Sequence, residues 1–160
     1  MNSRIFSNPF LIFLCRLVVG SVFIVAAIDK IVAPDAFAES IYAYGLIPYP
    51  LINLFALILP WLELCCGILL ISGVFVRSSA SILTLLLLIF IVAIITALSR
   101  HLNIDCGCFG KDHATPVSWE KVLEDAGLMI LGLMAVLTDS VAIGVQTFFV
   151  RHGTTEKPPR

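Results

Sequence analysis

The chain has 160 residues, of which 59% are apolar and 13% are charged, and its mean hydropathy is +1.03. It has too few polar residues to cover a soluble globule, so the composition predicts one membrane domain with several spans. The net charge is −1 and the sequence contains no basic run, which argues against a nucleic-acid partner.

The first predicted span covers residues 10–28, a mostly apolar stretch that follows a short polar start. At about 1.5 Å per residue it is long enough to cross a bilayer. It occupies the position of a signal peptide, but its apolar run is longer than usual, contains Arg16 and precedes further spans. We therefore expect it to be retained.

The connection at residues 29–50 is predicted to contain a short interfacial helix. Phe37, Ile41 and Tyr44 recur on one helical face, and Gly45 follows as a stop signal. All three tyrosines of the chain fall in this connection, which suits side chains that keep a ring in the lipid boundary and a hydroxyl in water.

Three further apolar stretches complete the prediction, at residues 51–73, 79–99 and 119–140, with residue 149 as an alternative end of the last. A tight connection after the second span makes spans two and three antiparallel. The tail, residues 151–160, contains two prolines and is expected to be disordered. The predicted fold is all-α: a four-helix transmembrane bundle formed by residues 1–150 as a single domain, with the interfacial helix between spans one and two.

Two arguments orient this bundle in the cytoplasmic membrane. Lysine and arginine number five on the side of the termini and four on the other, which slightly favours cytoplasmic termini. A reducing cytosol keeps thiols reduced, so a loop that forms a disulfide is expected on the outer face. The connection between spans three and four contains two cysteines, so we place it on the outer face.

This connection contains Asp105-Cys106-Gly107-Cys108-Phe109-Gly110, in the longest polar interruption of the chain. Gly107 gives the backbone the freedom to bend sharply, so Cys106 and Cys108 can close on each other. A bridge closed so tightly would be strained and easily reduced, which suits it to exchange with another thiol pair. We interpret Cys106 and Cys108 as the catalytic redox pair.

The spacing alone leaves two alternatives open. One is a plain turn with two incidental cysteines. The other is a metal site, in which His101, Asp105 or His113 would complete about four ligands around the two thiols, although nothing in their spacing fixes that geometry. The chain has five cysteines, and this odd number indicates that they do not form a simple secreted disulfide framework.

Glu63 is the second candidate, because an acid inside a span is costly and is by default a functional residue. Counting along the spans places Arg16 within roughly two helical turns of its depth. We therefore predict a structural Arg16–Glu63 pair, with a role for Glu63 in proton or quinone chemistry as the alternative.

Cys65 and Cys66 are candidates for a thiol relay inside the second span. Adjacent cysteines rarely bridge each other, and Cys65 lies about 20 Å along the helix from the outer end of the span. The competing interpretation, which also applies to Cys15, is that these thiols act as small buried apolar side chains.

Taken together, the chain resembles the MauE/DoxX-type redox-associated membrane proteins over nearly its whole length. The segments that carry the resemblance are Gly20-Ser21-Val22-Phe23, Asp29-Lys30 with Pro34, Ala43-Tyr44-Gly45-Leu46-Ile47-Pro48, Leu59-Pro60-Trp61-Leu62-Glu63, Gly67-Ile68-Leu69-Leu70 and the Asp105 to Gly110 turn. Each segment alone is a weak signal, but their order and spacing together are specific.

The resemblance implies a four-span bundle that works beside an exported thioredoxin-like protein, forming or sorting disulfides as an exported client enzyme matures. The small subunit of methylamine dehydrogenase is the named client of this family. The family also includes members tied to quinol oxidation, so the resemblance leaves the substrate open. We expect no covalently bound cofactor, and a membrane quinone is the candidate electron acceptor. Two rival functions remain: a non-enzymatic assembly factor, and a quinol-oxidase-type subunit or small-molecule carrier that uses Glu63.

Overall fold

A computed structural model describes residues 9–102, 104 and 117–137 of the chain. These residues form five α-helices: α1 Pro9–Val32, α2 Pro34–Tyr44, α3 Tyr49–Ser72, α4 Val76–Ser99 and α5 Trp119–Leu137. The all-α prediction is confirmed for the described residues. The predicted disordered tail and the predicted ends of span four, at residue 140 or 149, lie outside them.

The predicted helix of the first connection is confirmed as α2. Pro34 opens the helix at a position where its missing N–H is not needed. Gly45 ends it in the left-handed conformation, with a φ of 62°, and donates its backbone N–H to the Tyr42 carbonyl. Phe37 is the buried residue of this helix.

Pro60 lies inside α3 without ending it. The helix runs from Tyr49 to Ser72, and Pro60 is buried among its neighbours. Proline is tolerated within a membrane helix where the surrounding helices and local backbone adjustments compensate for the lost hydrogen bond. Gly73 then terminates α3 at a φ of 80°, which allows the close turn into α4.

Three helices are long and apolar enough to cross a membrane: Ile12–Val32, Tyr49–Ser72 and Val76–Ser99. The chain is therefore a membrane protein. Helix α5 has 19 residues but carries four charged side chains within its first seven positions, and it does not meet the same standard among the described residues. Three of the four predicted crossings are thus supported by helix length and composition.

Close glycine contacts set the packing of α1 against α3. A Cβ atom placed on Gly20 would lie 2.5 Å from Ile71 Cγ1, and one placed on Gly67 would lie 2.9 Å from Ile24 Cγ1. Small residues let membrane helices approach closely, since lipid supplies no hydrophobic force that would drive them together. Helix α4 meets α5 in a similar way at Gly132, where an added Cβ would lie 2.7 Å from Thr84 Oγ1.

Candidate functional site

A buried ion pair joins α1 to α3. Lys30 Nζ donates to Glu63 Oε1 at 2.9 Å and to Oε2 at 2.7 Å. The Lys30 side chain is 4% exposed and that of Glu63 is 0% exposed. Two charges taken this far out of water are tolerated only when they are paired with good geometry, and a bidentate contact at these distances provides it.

Two aromatic rings complete the surroundings of the ammonium. Lys30 Nζ lies 5.1 Å from the centroid of the Phe37 ring of α2 and 4.9 Å from that of the Phe90 ring of α4. The negative face of an aromatic ring attracts a cation at such a distance, and more strongly where water is excluded. Lys30 thus holds α1, α2, α3 and α4 together at one point.

The ion pair lies deep in the bundle. Glu63 is 14 residues from Tyr49 and nine from Ser72 along α3, which corresponds to about 21 Å and 14 Å of helix axis. The hydrocarbon core of a bilayer is about 30 Å thick, so a crossing α3 holds Glu63 inside it. An ionisable residue at this depth is rare and is by default a functional candidate.

The predicted Arg16–Glu63 pair is wrong. Arg16 instead donates from Nε and Nη2 to the Leu70 carbonyl, at 3.0 and 2.9 Å. Leu70 lies in the last turn of α3, where backbone carbonyls lack partners within the helix and the helix dipole is negative. The buried guanidinium therefore caps the end of α3, and Lys30 is the partner of Glu63.

Asp125 of α5 faces the same region. Its side chain is buried, with 8% exposed, and its Oδ2 atom has no hydrogen-bond partner among the described residues. Burial and the nearby Glu124 carboxylate raise the pKa of Asp125 to about 6, against the opposing effect of Lys121 and Lys30. A small cavity of about 40 Å³ lies between Asp125 and the Lys30–Glu63 pair, all three of which line it.

Lys30 and Asp125 were not predicted as site residues from the sequence, although the position of each in the sequence gives an indication. Lys30 follows Asp29 within a segment that carries the family resemblance. Asp125 lies seven and ten positions before Gly132 and Ala135, the other two buried residues of α5. These spacings place a carboxylate on the buried face of the helix.

The three described cysteines are free thiols. Cys15 and Cys66 are buried, in agreement with their interpretation as small apolar side chains. Cys65, also on α3, is exposed on the surface of the bundle. The relay proposed for Cys65 and Cys66 stays a prediction.

The predicted redox pair, Cys106 and Cys108, lies outside the described residues. Both cysteines fall between Ile104 and Val117, whose backbones are joined by a hydrogen bond from the Val117 N–H to the Ile104 carbonyl at 3.0 Å. Of the ligands named for the metal alternative, His101 is described, and no group of three or more such side chains in the described part of the chain is arranged to hold a metal ion.

A larger cavity of about 410 Å³ lies between α2, α3 and α4. Its walls are apolar and rich in aromatic rings, including Phe37, Tyr44, Phe55 and Phe90. Phe37 and Phe90 also contact the Lys30 ammonium, so these two rings belong both to the wall of the apolar cavity and to the surroundings of the ion pair.

Comparison with known proteins gives a consistent result. The family model of the methylamine utilisation protein MauE matches residues 8–138. A methylamine utilization protein MauE of Paracoccus denitrificans is 29% identical over 79% of this chain and 68% of its own length. Those of Methylophilus methylotrophus and Methylorubrum extorquens are 35% and 34% identical, over 72% and 74% of this chain. The chain spans 60% and 66% of these two relatives. No solved structure matches it.

Proposed function

This membrane protein belongs to the methylamine utilisation protein MauE family, and from that premise we propose that it supports the maturation of an exported enzyme of the methylamine dehydrogenase type. It does so by exchanging disulfides with an exported thioredoxin-like protein, and Cys106 and Cys108 are the reacting pair. The names of the three relatives, all methylamine utilization proteins, support the pathway.

The observation that carries the proposal is the closed base of the thiol loop. The hydrogen bond between Ile104 and Val117 brings together the two ends of the segment that contains both thiols. Helix α4 ends at Ser99 and α5 begins at Trp119, so the segment leaves and re-enters the bundle at one place. Fixing these two ends lowers the conformational entropy that the connection loses when a partner binds, which supports a defined encounter.

The exchange balances without a further reactant. A thiolate of the partner attacks one sulfur of the Cys106–Cys108 disulfide, and the other cysteine leaves as a thiolate. The second thiol of the partner, once deprotonated, then attacks the mixed disulfide and releases the bundle. The partner has lost two electrons and two protons, and the Cys106–Cys108 pair has gained them.

We place the thiol loop on the outer face of the cytoplasmic membrane and the termini in the cytoplasm. Arg100 Nη1 donates to the Tyr44 carbonyl at 3.3 Å, which supports one shared side for the α2–α3 connection and the base of the thiol loop. In this arrangement the apolar part of α5, from residue 126 onward, begins the fourth crossing of the bundle.

A membrane quinone is the electron acceptor that we propose for the reduced pair. The cavity between α2, α3 and α4 fits this ligand class, because its volume and aromatic walls suit a flat ring with an apolar tail. Phe37, Phe55 and Phe90 would hold the ring. Bound there, a quinone supplies a two-electron acceptor.

Trapping tests the proposal. In Cys108→Ser, Cys106 can react only in the reverse direction, by attacking the disulfide of the oxidised partner, and no Cys108 thiol is present to displace the partner again. Native membranes that carry this variant should therefore accumulate a mixed disulfide between Cys106 and an exported thioredoxin-like protein, detectable after alkylation by mass spectrometry. Cys65→Ser is the control, since it removes an exposed thiol outside the loop. The proposal fails if Cys106 and Cys108 are both reduced in native membranes and nothing is trapped.

Two rivals give different results. A non-enzymatic assembly factor should keep its client active when Cys106 and Cys108 are both replaced by serine. A quinol-oxidase-type subunit or carrier that uses Glu63 is favoured by the buried Lys30–Glu63 pair beside two cavities. It predicts loss of activity in a folded Glu63→Gln protein and indifference to the serine changes.

A further inference from the structure

The cavity of about 40 Å³ beside Asp125 is large enough to hold water. A buried water molecule needs about 10–15 Å³ of such volume, so the space suits roughly three of them. Its lining combines apolar side chains with five charged residues, namely Lys30, Glu63, Lys121, Glu124 and Asp125. A cavity with several polar groups is hydrated, whereas purely apolar cavities stay dry.

One oxygen of Asp125 is left without a hydrogen-bond partner among the described residues. Its Oδ2 atom is buried and makes no hydrogen bond to any described residue, although the side chain is 8% exposed overall. A buried carboxylate oxygen without a partner carries a large desolvation cost, which a proton or an ordered water molecule removes. We therefore expect a proton, an ordered water molecule or both at this atom.

The charges that face Asp125 are already matched to one another. Lys30 of α1 is bound to Glu63 of α3, and Lys121 of α5 is bound to Glu124 of α5 at 2.6 Å. The contribution of α4 to the cavity wall is apolar, through Leu87 and Phe90. Two cations thus face three acids in the cavity wall, and the two ion pairs, Lys30–Glu63 and Lys121–Glu124, do not include Asp125.

Two charged residues extend from the cavity to the protein surface. Lys121 and Glu124 line the cavity, and their side chains are 18% and 53% exposed. Asp125 and the Lys30–Glu63 pair lie further in. Lys121 and Glu124 therefore form the charged edge of the cavity nearest the protein surface, and we take this edge as the side from which protons reach Asp125.

We propose that this cavity is a proton-binding site, in which Asp125 carries an exchangeable proton and bound water joins its Oδ2 atom to the Lys30–Glu63 pair. The step is a proton transfer: hydronium gives its proton to the Asp125 carboxylate, which leaves water and a neutral carboxyl group, and no electrons move. The site acts independently of the thiol exchange.

Infrared difference spectroscopy across pH tests this on the full chain in lipid bilayers. We expect a C=O band of a protonated carboxyl group that titrates well above the usual aspartate value of about 3.9 and shifts in heavy water. Carbon-13 labelling of aspartate should move the band in the unmutated protein. Asp125→Asn should abolish it, and Glu120→Gln, an exposed acid of the same helix outside the cavity, should leave it unchanged.

The link to the ion pair has its own readout. Glu63→Gln removes a negative charge that faces Asp125, so the midpoint of the band should move to lower pH. If the label does not move the band, if the band titrates in the usual aspartate range, or if it survives Asp125→Asn, the proton site is overturned. An unchanged midpoint in folded Glu63→Gln protein overturns the water link to the pair. The labelling arm separates an aspartate from Glu63 without any variant. If Asp125→Asn does not fold, Asp125→Glu keeps the carboxyl group, and its band should no longer respond to the aspartate label; a band that still responds also overturns the site.

Discussion

Lys30 of α1 and Glu63 of α3 form a bidentate ion pair whose two side chains are almost completely removed from solvent. Each charge is tolerated only because the other is present. The two residues are 33 positions apart in the sequence. Aromatic rings of two further helices contact the cation.

Removing one partner of this pair should be far more damaging than removing both. Lys30→Met leaves Glu63 buried without a counter-ion, which typically costs about 3–5 kcal/mol. We expect a large fall in the thermal unfolding midpoint of Lys30→Met in detergent, and recovery of most of it in the double variant Lys30→Met/Glu63→Leu. Equal stability of the wild type and the single variant would argue against the pair.

Arg16 should contribute to stability through the end of α3. Arg16→Met removes two hydrogen bonds from a charged donor to the Leu70 carbonyl and leaves that carbonyl without this partner. Hydrogen bonds to charged groups contribute about 1.5–3 kcal/mol, so the unfolding midpoint should fall clearly. Arg77→Met at an exposed position of α4 is the matched control and should change it little.

Two glycine-to-alanine substitutions should change stability in opposite directions, one through a close helix contact and the other through helix propensity. Gly67→Ala brings a methyl group to 2.9 Å from Ile24 and 3.0 Å from the Gly20 carbonyl, so α1 and α3 must move apart. Gly127→Ala meets nothing within 4 Å and should instead stabilise α5 by up to about 1 kcal/mol. Unfolding midpoints that shift in the same direction in both variants would contradict the close contact.

Asp125 should make stability depend on pH. Its pKa is about 6 in the folded chain and about 3.9 in an unfolded one, so the folded state binds more protons between these values. Stability therefore falls as pH rises through this window. Asp125→Asn cannot ionise and should escape that fall.

The difference in unfolding midpoint between Asp125→Asn and the wild type should grow in favour of the variant from about pH 4 to about pH 6 and then level off. Asp35→Asn, at an exposed carboxylate of α2, controls for the loss of one negative charge. A difference that does not vary with pH would contradict the assigned shift.

The helices could be predicted because each leaves a local signal. Apolar runs of about 20 residues mark α1, α3 and α4, and α2 follows from the spacing of Phe37, Ile41 and Tyr44 with Gly45 after it. The observed bounds differ by a few residues, since α1 continues to Val32 and α3 begins at Tyr49. Local patterns determine where a helix lies more reliably than where it ends.

The partner of Glu63 could not be predicted, and the shift in bounds explains why. If span one ends at residue 28, Lys30 belongs to a surface connection and Arg16 is the nearest buried cation. In the folded chain α1 continues past Lys30, so the ammonium reaches Glu63 while Arg16 lies beside the last turn of α3. A few residues of helix length thus decide which cation meets the acid.

The sequence separation of Lys30 and Glu63 also constrains how the protein is made. Helix α1 leaves the ribosome 33 residues before its counter-ion, so it must enter the membrane with an unmatched lysine or wait at the translocon. Lys30 lies in the last turn of α1, where a long side chain can reach the membrane interface, so α1 can insert before its partner arrives. We therefore expect the ammonium to become buried only when α3 brings Glu63, so that formation of the ion pair marks the packing of α3 against α1.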